Sequence, residues 1–515
     1  MMGFIRPCWA NRLTRCRARR VKCDEQKPLC RRCAQAGRLC GGYSRESKSS
    51  DLQPALKIGI TADSHTERLC YLAAHVLSLD DNGQPLQEDG WGCAFFQLSS
   101  QIECVKAAAA AFGAAYESSL NDHVKDHCST WHYYGSALAR LRSDFNNGSV
   151  GSESLALASI ILAFVEILSQ HEQNAFAHFL GAVRLLTKAY QRRQVASSTD
   201  ILRSFKNALV KMNLSICSYG LSRTPQFMYL ESQGVARDDA FCQPELAINA
   251  AISCLYQSYQ FIQSASELRY TCPSWKEHDP IMCKGQFDAV TRCRSALQGL
   301  ATLTTRLQAR PSATSTLSYS GTLADIYAIR TQLTSALIFI QCIHNPYETG
   351  YDECQNLFES IVADAAASAR LRRRTKPSAF RRFSICPGII SPLFFVSMKC
   401  RDPPLRALAT TMLKEQSREG PADGQILAAI GTRLAALETA DSVPSSPGAP
   451  LAACNVLEEQ RVYSYSVPHP RINDEGRRVV DIVFLRPNPP LMQGLGHIDY
   501  SCQDDWFYWS ETIHI

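Results

Sequence analysis

Five cysteines lie in a basic stretch near the N-terminus, at intervals that suit metal coordination. Cys16, Cys23, Cys30, Cys33 and Cys40 are separated by six, six, two and six residues. Thiolates at such regular spacing in an intracellular chain are metal ligands more often than disulfide partners. A site made only of thiolates is closed and structural, because it leaves no open position for a substrate. The spacing therefore predicts a small module that zinc holds folded.

Positive charge is concentrated around these cysteines. Residues 1–48 carry 13 Lys or Arg against three acidic residues, a net charge of +10, whereas the whole chain is +6. The remaining chain is therefore about −4, so polyanion binding is expected at the basic head alone. Arg17, Arg19, Arg20 and Lys22 lie between the first two cysteines, where phosphates or base edges can meet them.

The stretch from Cys16 to Tyr43 resembles the six-cysteine binuclear zinc cluster of fungal transcription factors. The resemblance includes the run from Lys22 to Glu25 and Pro28 in the loop between the two halves. In that family two zinc ions share six cysteines, and the first and fourth cysteines bridge both metals. The resemblance assigns the five cysteines to ligands two to six, with Cys30 as a bridge, and implies two zinc ions. A basic nuclear-import segment with incidental cysteines is the alternative, but it does not account for the regular spacing.

The first ligand of the family's pattern is missing. Leu13 occupies its position, three residues before Cys16. Two tetrahedral zinc ions have eight coordination positions, which two bridging and four terminal thiolates fill. Three explanations remain open: Cys8 reaches across a longer loop, which costs little closure entropy; a different first exon supplies a cysteine; or the site is incomplete.

The family resemblance also implies how DNA would be read. A helix from about Arg17 would enter the major groove, and Lys22 with a neighbouring arginine would reach guanine O6 and N7 of CGG triplets. Other arginines are better placed for phosphates, which set affinity but not sequence. These are Arg12, Arg15, Arg31, Arg32 and Arg38. Double-stranded DNA is the implied partner and the nucleus the implied compartment, with coactivators and a second copy of the chain as further candidates.

The remaining composition fits a large soluble protein. The chain has 515 residues, of which 45% are hydrophobic and 20% charged. Sixteen further cysteines are scattered without ligand spacing, so we expect buried free thiols. The most apolar segment, Leu155 to Leu168, is shorter than the ~20 residues that span a bilayer. It is apolar on all sides, which predicts a central, fully buried helix. We expect no membrane association and no secretory signal.

The predicted fold is mainly α. A small binuclear zinc cluster (1–45) precedes a linker (46–90) with one short helix near Leu69 to Leu79. A large all-helical regulatory domain (91–440) follows, and a C-terminal extension (441–515) holds a short β-hairpin and an acidic-aromatic tail. Helices are predicted at 107–116, 131–145, 155–168, 176–190, 200–219, 244–268, 286–307, 322–343, 351–374, 405–415 and 426–437. The helix at 405–415 follows Pro403-Pro404, a natural helix start.

Two segments of this body extend the family resemblance. Phe164 to Leu186 and Pro392 to Ala409 resemble two signatures of the fungal-specific regulatory domain. The hairpin prediction is separate and comes from composition. Arg461 to Val467 and Val479 to Leu485 are rich in strand-forming residues, with Asp474-Glu475-Gly476 between them.

Three other stretches have both an ordinary and a functional interpretation. His171 and His178 in HEQNAFAH are seven residues apart, too far for one metal on one helix, and ordinary helical histidines are expected. The basic run at 370–382 is either a solvated helix end or a second phosphate or nuclear-import patch. The aromatic C-terminus either docks on a coactivator or folds back onto the helical body, and the second interpretation is favoured.

These observations predict a zinc-dependent, sequence-specific DNA-binding transcription factor that regulates RNA polymerase II transcription by reading CGG-type triplets. The alternative is a helical regulatory or interaction protein whose incomplete zinc cluster no longer binds DNA. The chain contains neither a glycine-rich phosphate loop nor a Gly-x-Ser-x-Gly elbow, so no enzyme class is favoured.

Overall fold

The computed structural model describes the helical body and the C-terminal sheet. The described residues are 65–77, 98–120, 127–192, 243–266, 268–271, 275–309, 316–374, 388–416, 418–440, 452–466, 469–488 and 505–515, with Phe95, Asn213, Leu214, Cys217, Phe241 and Ser442. The zinc-cluster cysteines and the basic residues around them lie outside these ranges. The predicted helix at 200–219 also lies outside them, apart from three residues.

Fourteen α-helices make up most of the described chain, which confirms the predicted mainly α fold. The first seven are α1 His65–Leu77, α2 Glu103–Leu120, α3 His127–Asn147, α4 Ser152–Leu168, α5 Glu172–Arg192, α6 Pro244–Ser266 and α7 Leu268–Thr271. The others are α8 Trp275–His278, α9 Pro280–Gln308, α10 Thr316–Cys342, α11 Gln355–Arg374, α12 Ile390–Lys399, α13 Pro403–Lys414 and α14 Gly424–Thr439. Three 3-10 helices lie at Glu348–Cys354, Ala453–Asn455 and Glu458–Gln460.

Helix α4 is the centre of the first hydrophobic core. All but four of its residues are buried, from Leu155 to Ile167 without interruption. A helix that is apolar on every side can be stable in water only if other helices surround it. Helices α2 and α5 pack against it, as predicted from its composition.

A second hydrophobic core joins the later helices to the C-terminal sheet. Helices α12, α13 and α14 pack together, and Val480, Ile482 and Phe484 of the sheet reach the same core. Helix α13 begins at Pro403, whose fixed φ suits the first turn, and Asp402 Oδ1 caps it by accepting from Leu405 N at 2.9 Å. The predicted start after two prolines is confirmed.

Helix α10 contributes to both cores. Its segment Gly321–Cys342 is long and apolar enough to cross a bilayer, and 67% of it is buried inside the protein. Gln332 in this segment is buried and donates to Gly388 O at 2.7 Å. Burial of this kind is what a core helix of a folded domain requires.

The C-terminus forms a four-stranded antiparallel sheet rather than a two-stranded hairpin. Its strands are Ser464–Tyr465, His469–Ile472, Arg478–Pro487 and Trp506–His514, and the third is central. The predicted turn is present, with Gly476 at φ +74°, but it follows His469–Ile472. A separate two-stranded ladder pairs Arg418–Glu419 with Ala422–Asp423.

The aromatic C-terminus folds back, as favoured from the sequence. Trp506–His514 pairs along the full edge of Arg478–Pro487, from Val479 opposite His514 to Pro487 opposite Trp506. Trp506 is buried, and the Trp509 ring lies 5.5 Å from that of Phe484. The strand was not predicted because four consecutive aromatic residues, Trp506 to Trp509, interrupt the alternation of apolar and polar residues that marks a strand.

Helix α1 lies within the segment assigned to the linker, and its backbone approaches α2 closely. A Cβ placed on Gly113 would lie 2.2 Å from Leu69 O, so only glycine allows this approach. Leu69 is fully buried with Ala110 and Ala114 of α2. The small residues of α2 therefore dock α1 onto the helical body.

We predict that Gly113→Ala lowers the free energy of unfolding by about 1–3 kcal/mol, because the new methyl group forces two helix backbones apart. Gly135→Ala is the matched control, since a Cβ there meets nothing within 4 Å. It should be neutral or stabilise by roughly 0.5–1 kcal/mol. Denaturant unfolding measures both; equal effects would contradict the close approach.

Candidate functional site

The residues predicted to bind zinc and DNA all lie before the first described helix. The structure therefore neither assembles nor separates them. Among the described residues, no group of three His, Cys, Asp or Glu side chains could hold a metal ion. What the structure does bring together is a set of buried charges in the helical body.

These charges form a network that we name the ionic clasp. It consists of Arg269, Glu348, Lys399, Arg401, Arg406 and Glu438, all buried. They come from the short helix α7, the first 3-10 helix, the α12–α13 junction and the end of α14. The clasp thus joins elements that are far apart in sequence.

The Glu348 carboxylate accepts hydrogen bonds from three cationic side chains. Lys399 Nζ donates to both of its carboxylate oxygens at 2.8 Å and to Tyr463 O at 2.8 Å. Arg401 Nη2 lies 3.1 Å from Glu348 Oε2. Arg269 Nη2 is 3.5 Å from Oε1, and its Nη1 donates to Tyr351 at 2.9 Å.

Glu438 forms the second half of the clasp. Arg401 Nη2 donates to its Oε1 at 3.0 Å, and Arg406 Nη2 donates to its Oε2. The backbone N–H of Val462 also donates to Oε1 at 2.7 Å, which ties the chain before the sheet to α14. Arg401 therefore bridges the two buried carboxylates.

A neighbouring ion pair extends the clasp towards the surface. Arg461 is 1% exposed and donates to Asp352 through both terminal nitrogens, at 2.8 and 2.7 Å. Glu458 accepts from the backbone N–H groups of Glu348 and Thr349 at 2.7 and 2.8 Å. These contacts fix the turn that carries Glu348.

The pKa values reflect burial and close opposite charges. Burial alone would raise the pKa of Glu438, but Arg401 and Arg406 lower it to about 2. The pKa of Glu348 is lowered in the same way, by Lys399, Arg401 and Arg269 against the effect of burial. Burial lowers the pKa of Lys399 to about 8, and Glu348 offsets only part of that effect. The clasp is therefore charged at neutral pH.

Most donors of the clasp are directed at carboxylates and backbone carbonyls, and Arg269 Nη1 is directed at the Tyr351 hydroxyl. Arg406 Nε donates to Ser397 O at 2.8 Å, and Arg401 Nη1 donates to Lys399 O at 2.8 Å. Cations that are paired in this way hold chain segments together. The arrangement supports a structural role.

Lys399, Arg401 and Arg406 lie in the Pro392 to Ala409 segment singled out in the sequence, but their role as a clasp was not predicted. Because these charged residues directly follow the apolar run of α12, the sequence could have indicated that they form buried ion pairs. Their carboxylate partners carried no local signal, because Glu348 and Glu438 come from distant segments.

The two histidines of HEQNAFAH share a carboxylate network instead of a metal. His171 Nδ1 lies 3.0 Å from Glu166 Oε2, while His178 Nε2 lies 2.9 Å from the Tyr134 hydroxyl. Tyr134 donates in turn to Glu166, which is 1% exposed. Burial lowers the pKa of His178, and Glu166 opposes that shift. The network joins α3, α4 and α5.

The basic run at 370–382 begins as an exposed helix end. Arg372 pairs with Asp325 at 3.3 Å and Arg373 pairs with Glu415. Arg370 donates to Ala366 O at 3.3 Å within the same helix. Lys376, Arg381 and Arg382 lie outside the described residues, so the phosphate-patch hypothesis stays a prediction.

Comparisons with known proteins match two family models to this chain, one over the N-terminal cysteine segment and one over most of the helical body. The family described as "Fungal Zn(2)-Cys(6) binuclear cluster domain" matches residues 14–50, and the "Fungal specific transcription factor domain" matches residues 80–420. One relative is the aspercryptin biosynthesis cluster-specific transcription regulator atnN of Emericella nidulans, 27% identical over 240 residues. The match covers 39% of this chain and 39% of that relative's length. No solved structure matches.

We predict that Glu438→Gln lowers the free energy of unfolding at neutral pH by about 3–5 kcal/mol, because Arg401 and Arg406 lose a buried counter-charge. Glu117→Gln is the control: its pair with Arg68 is exposed, with side chains 37% and 49% accessible, and should be worth about 0–1 kcal/mol. Chemical denaturation at pH 7 compares the two.

The effect of Glu438→Gln should also depend on pH. The folded-state pKa of Glu438 lies below its usual value of 4.5, so its contribution is complete above pH 4.5 and falls as the pH drops towards 2. The difference in the free energy of unfolding between wild type and variant should decrease by about 1.4 kcal/mol per pH unit below pH 4.5. A constant gap from pH 6 to pH 3.5 would contradict the low pKa.

Proposed function

This chain belongs to the fungal specific transcription factor family, and we propose that it reads CGG-type triplets through an N-terminal zinc cluster to regulate transcription by RNA polymerase II. The observation that carries the proposal is the thiolate spacing from Cys16 to Cys40, within a segment that matches the zinc-cluster family. We extend to this chain the relative's role as a transcription regulator, and we place the chain in the nucleus.

The donor set fits zinc. Five thiols from Cys16 to Cys40 provide soft ligands at the family's spacing, and a sixth is needed to fill both tetrahedra. We propose Cys8 as that sixth ligand, across the seven residues that separate it from Cys16. On this assignment Cys30 bridges both metal ions, and the chain binds two.

Base and phosphate contacts are assigned to different positions in the basic head. Lys22, with Arg17, Arg19 and Arg20, lies between Cys16 and Cys23 and is assigned to the major groove. Arg12, Arg15, Arg31, Arg32 and Arg38 are assigned to phosphates, which position the protein without reading sequence.

A second function is favoured by one observation. Leu13 stands where the family has its first ligand, so a cluster that does not close would leave a helical regulator that does not bind DNA. Coactivators, a second copy of this chain, or another transcription factor would then be its partners.

We predict two zinc ions per chain, and loss of both in Cys30→Ala because a bridging thiolate serves each ion. Cys8→Ala should give the same loss if it is the sixth ligand, whereas Cys283→Ala, a single thiol in the helical body, should keep both. Metal analysis of the purified full-length variants is the measurement. Unchanged zinc in Cys8→Ala would remove Cys8 from the ligand set, and no zinc in the wild type would favour the helical regulator.

We predict that Lys22→Ala weakens binding to a CGG-containing duplex by ~1–3 kcal/mol and relaxes preference at that triplet, because a base-edge contact is lost. Arg32→Ala should weaken CGG and scrambled duplexes alike and reduce the salt slope by roughly 1. Binding to both duplexes across a salt series separates the two roles. An unchanged ratio of specific to non-specific affinity in Lys22→Ala would refute its role in base reading.

A further inference from the structure

Two thiols of the helical body lie in contact beside the ionic clasp. The Sγ atoms of Cys342 and Cys354 are 3.6 Å apart, and both residues are buried, 5% and 8% exposed. A disulfide needs a sulfur separation of about 2.05 Å, so bond formation requires an approach of roughly 1.5 Å. Both thiols are free in this structure.

Their positions allow that approach. Cys342 is the last residue of α10, and Cys354 is the last residue of the 3-10 helix Glu348–Cys354. Ends of elements shift more readily than their interiors. A second thiol pair, Cys254 and Cys293, lies in the middle of α6 and α9, where bridging would require two packed helices to move.

The pair is also chemically asymmetric. The Cys342 thiol can donate to Cys354 Sγ or to Gly350 O, which lies at 3.5 Å. The hydrogen bond from Cys342 lowers the pKa of the Cys354 thiol, because it stabilises a thiolate there. The thiolate is the form that reacts with oxidants. Gly350 O beside Cys342 Sγ favours the protonated thiol at Cys342, so Cys354 is assigned as the attacking sulfur and Cys342 as the resolving one.

The turn between the two thiols has an exposed outer side. Tyr347, Thr349 and Glu353 in the intervening turn are exposed. The turn lies at the surface although its two cysteines and Glu348 point inward, so a molecule the size of a peroxide needs only a local opening.

We propose that Cys342 and Cys354 are a redox modification site, at which a hydroperoxide converts the two thiols to an intramolecular disulfide. The Cys354 thiolate attacks the O–O bond of hydrogen peroxide, giving a sulfenic acid and hydroxide. The Cys342 thiol then attacks that sulfur and expels the sulfenic oxygen as water. The two thiols lose two electrons and two protons, and one peroxide becomes two waters.

The disulfide would constrain the clasp. The ring that it closes contains Glu348, Tyr351 and Asp352, which contact Lys399, Arg269 and Arg461 respectively. Tying both ends of this turn restricts its local opening. Oxidation is therefore expected to slow amide exchange in residues 343–353 and to leave exchange in α4 unchanged.

The full-length protein is treated with increasing concentrations of hydrogen peroxide, alkylated and digested with trypsin. The masses of its peptides are then measured by mass spectrometry. Residues 331–370 contain no internal Lys or Arg before Arg370, so both cysteines fall in one tryptic peptide with no other cysteine. We expect this peptide to lose two hydrogens and to escape alkylation. Cys283, the single cysteine of peptide 277–284, should still be alkylated at that dose.

Cys342→Ser supplies the second arm. Without its partner, Cys354 should accumulate as a sulfenic acid that a sulfenate-specific probe traps. The proposal is overturned if the wild-type peptide keeps two alkyl groups at doses that oxidise Cys283, or if Cys354 in the variant gives no sulfenate. These measurements do not involve the zinc-cluster cysteines, so their outcome is independent of whether the protein binds DNA.

Discussion

The later half of the helical body depends on the burial of two carboxylates, Glu348 and Glu438. Moving an ion from water into a protein interior costs several kcal/mol, so each must be matched by cations in good geometry. Lys399, Arg401 and Arg406 supply that match at a single helix junction. Because Val462 also donates to Glu438, the start of the C-terminal sheet is held by the same charges. Each of these segments keeps its position only while the others keep theirs.

Because these segments depend on one another, a local change in the turn that carries Glu348 can alter the positions of the others. The turn that carries Glu348 ends at Cys354, in contact with Cys342, so oxidation chemistry and the charge network meet in one short segment. A segment that responds to a chemical modification needs more than one accessible state.

Local patterns were predictable from the sequence, and pairings between distant segments were not. The apolar run of α4 and the Pro403-Pro404 start of α13 were correctly assigned because helix burial and capping are encoded nearby. The strand at Trp506–His514 was missed because its partner, Arg478–Pro487, is distant and its own alternation is irregular. The clasp was missed for the same reason. Lys399 and Arg401 follow an apolar run in the sequence, whereas Glu348 and Glu438 come from distant segments and meet these cations only in the folded protein. The zinc ligands are assigned from cysteine spacing and family resemblance, and they lie outside the described residues.

We propose that zinc at the N-terminal cysteines enables DNA recognition, whereas the helical body folds through its own interactions. Removing zinc from the full-length protein with a chelator, and following CGG-duplex binding and thermal unfolding in the same samples, tests it most directly. The account predicts that specific binding disappears and returns with added zinc, while the main unfolding transition stays in place. Specific binding that survives complete zinc removal would contradict it.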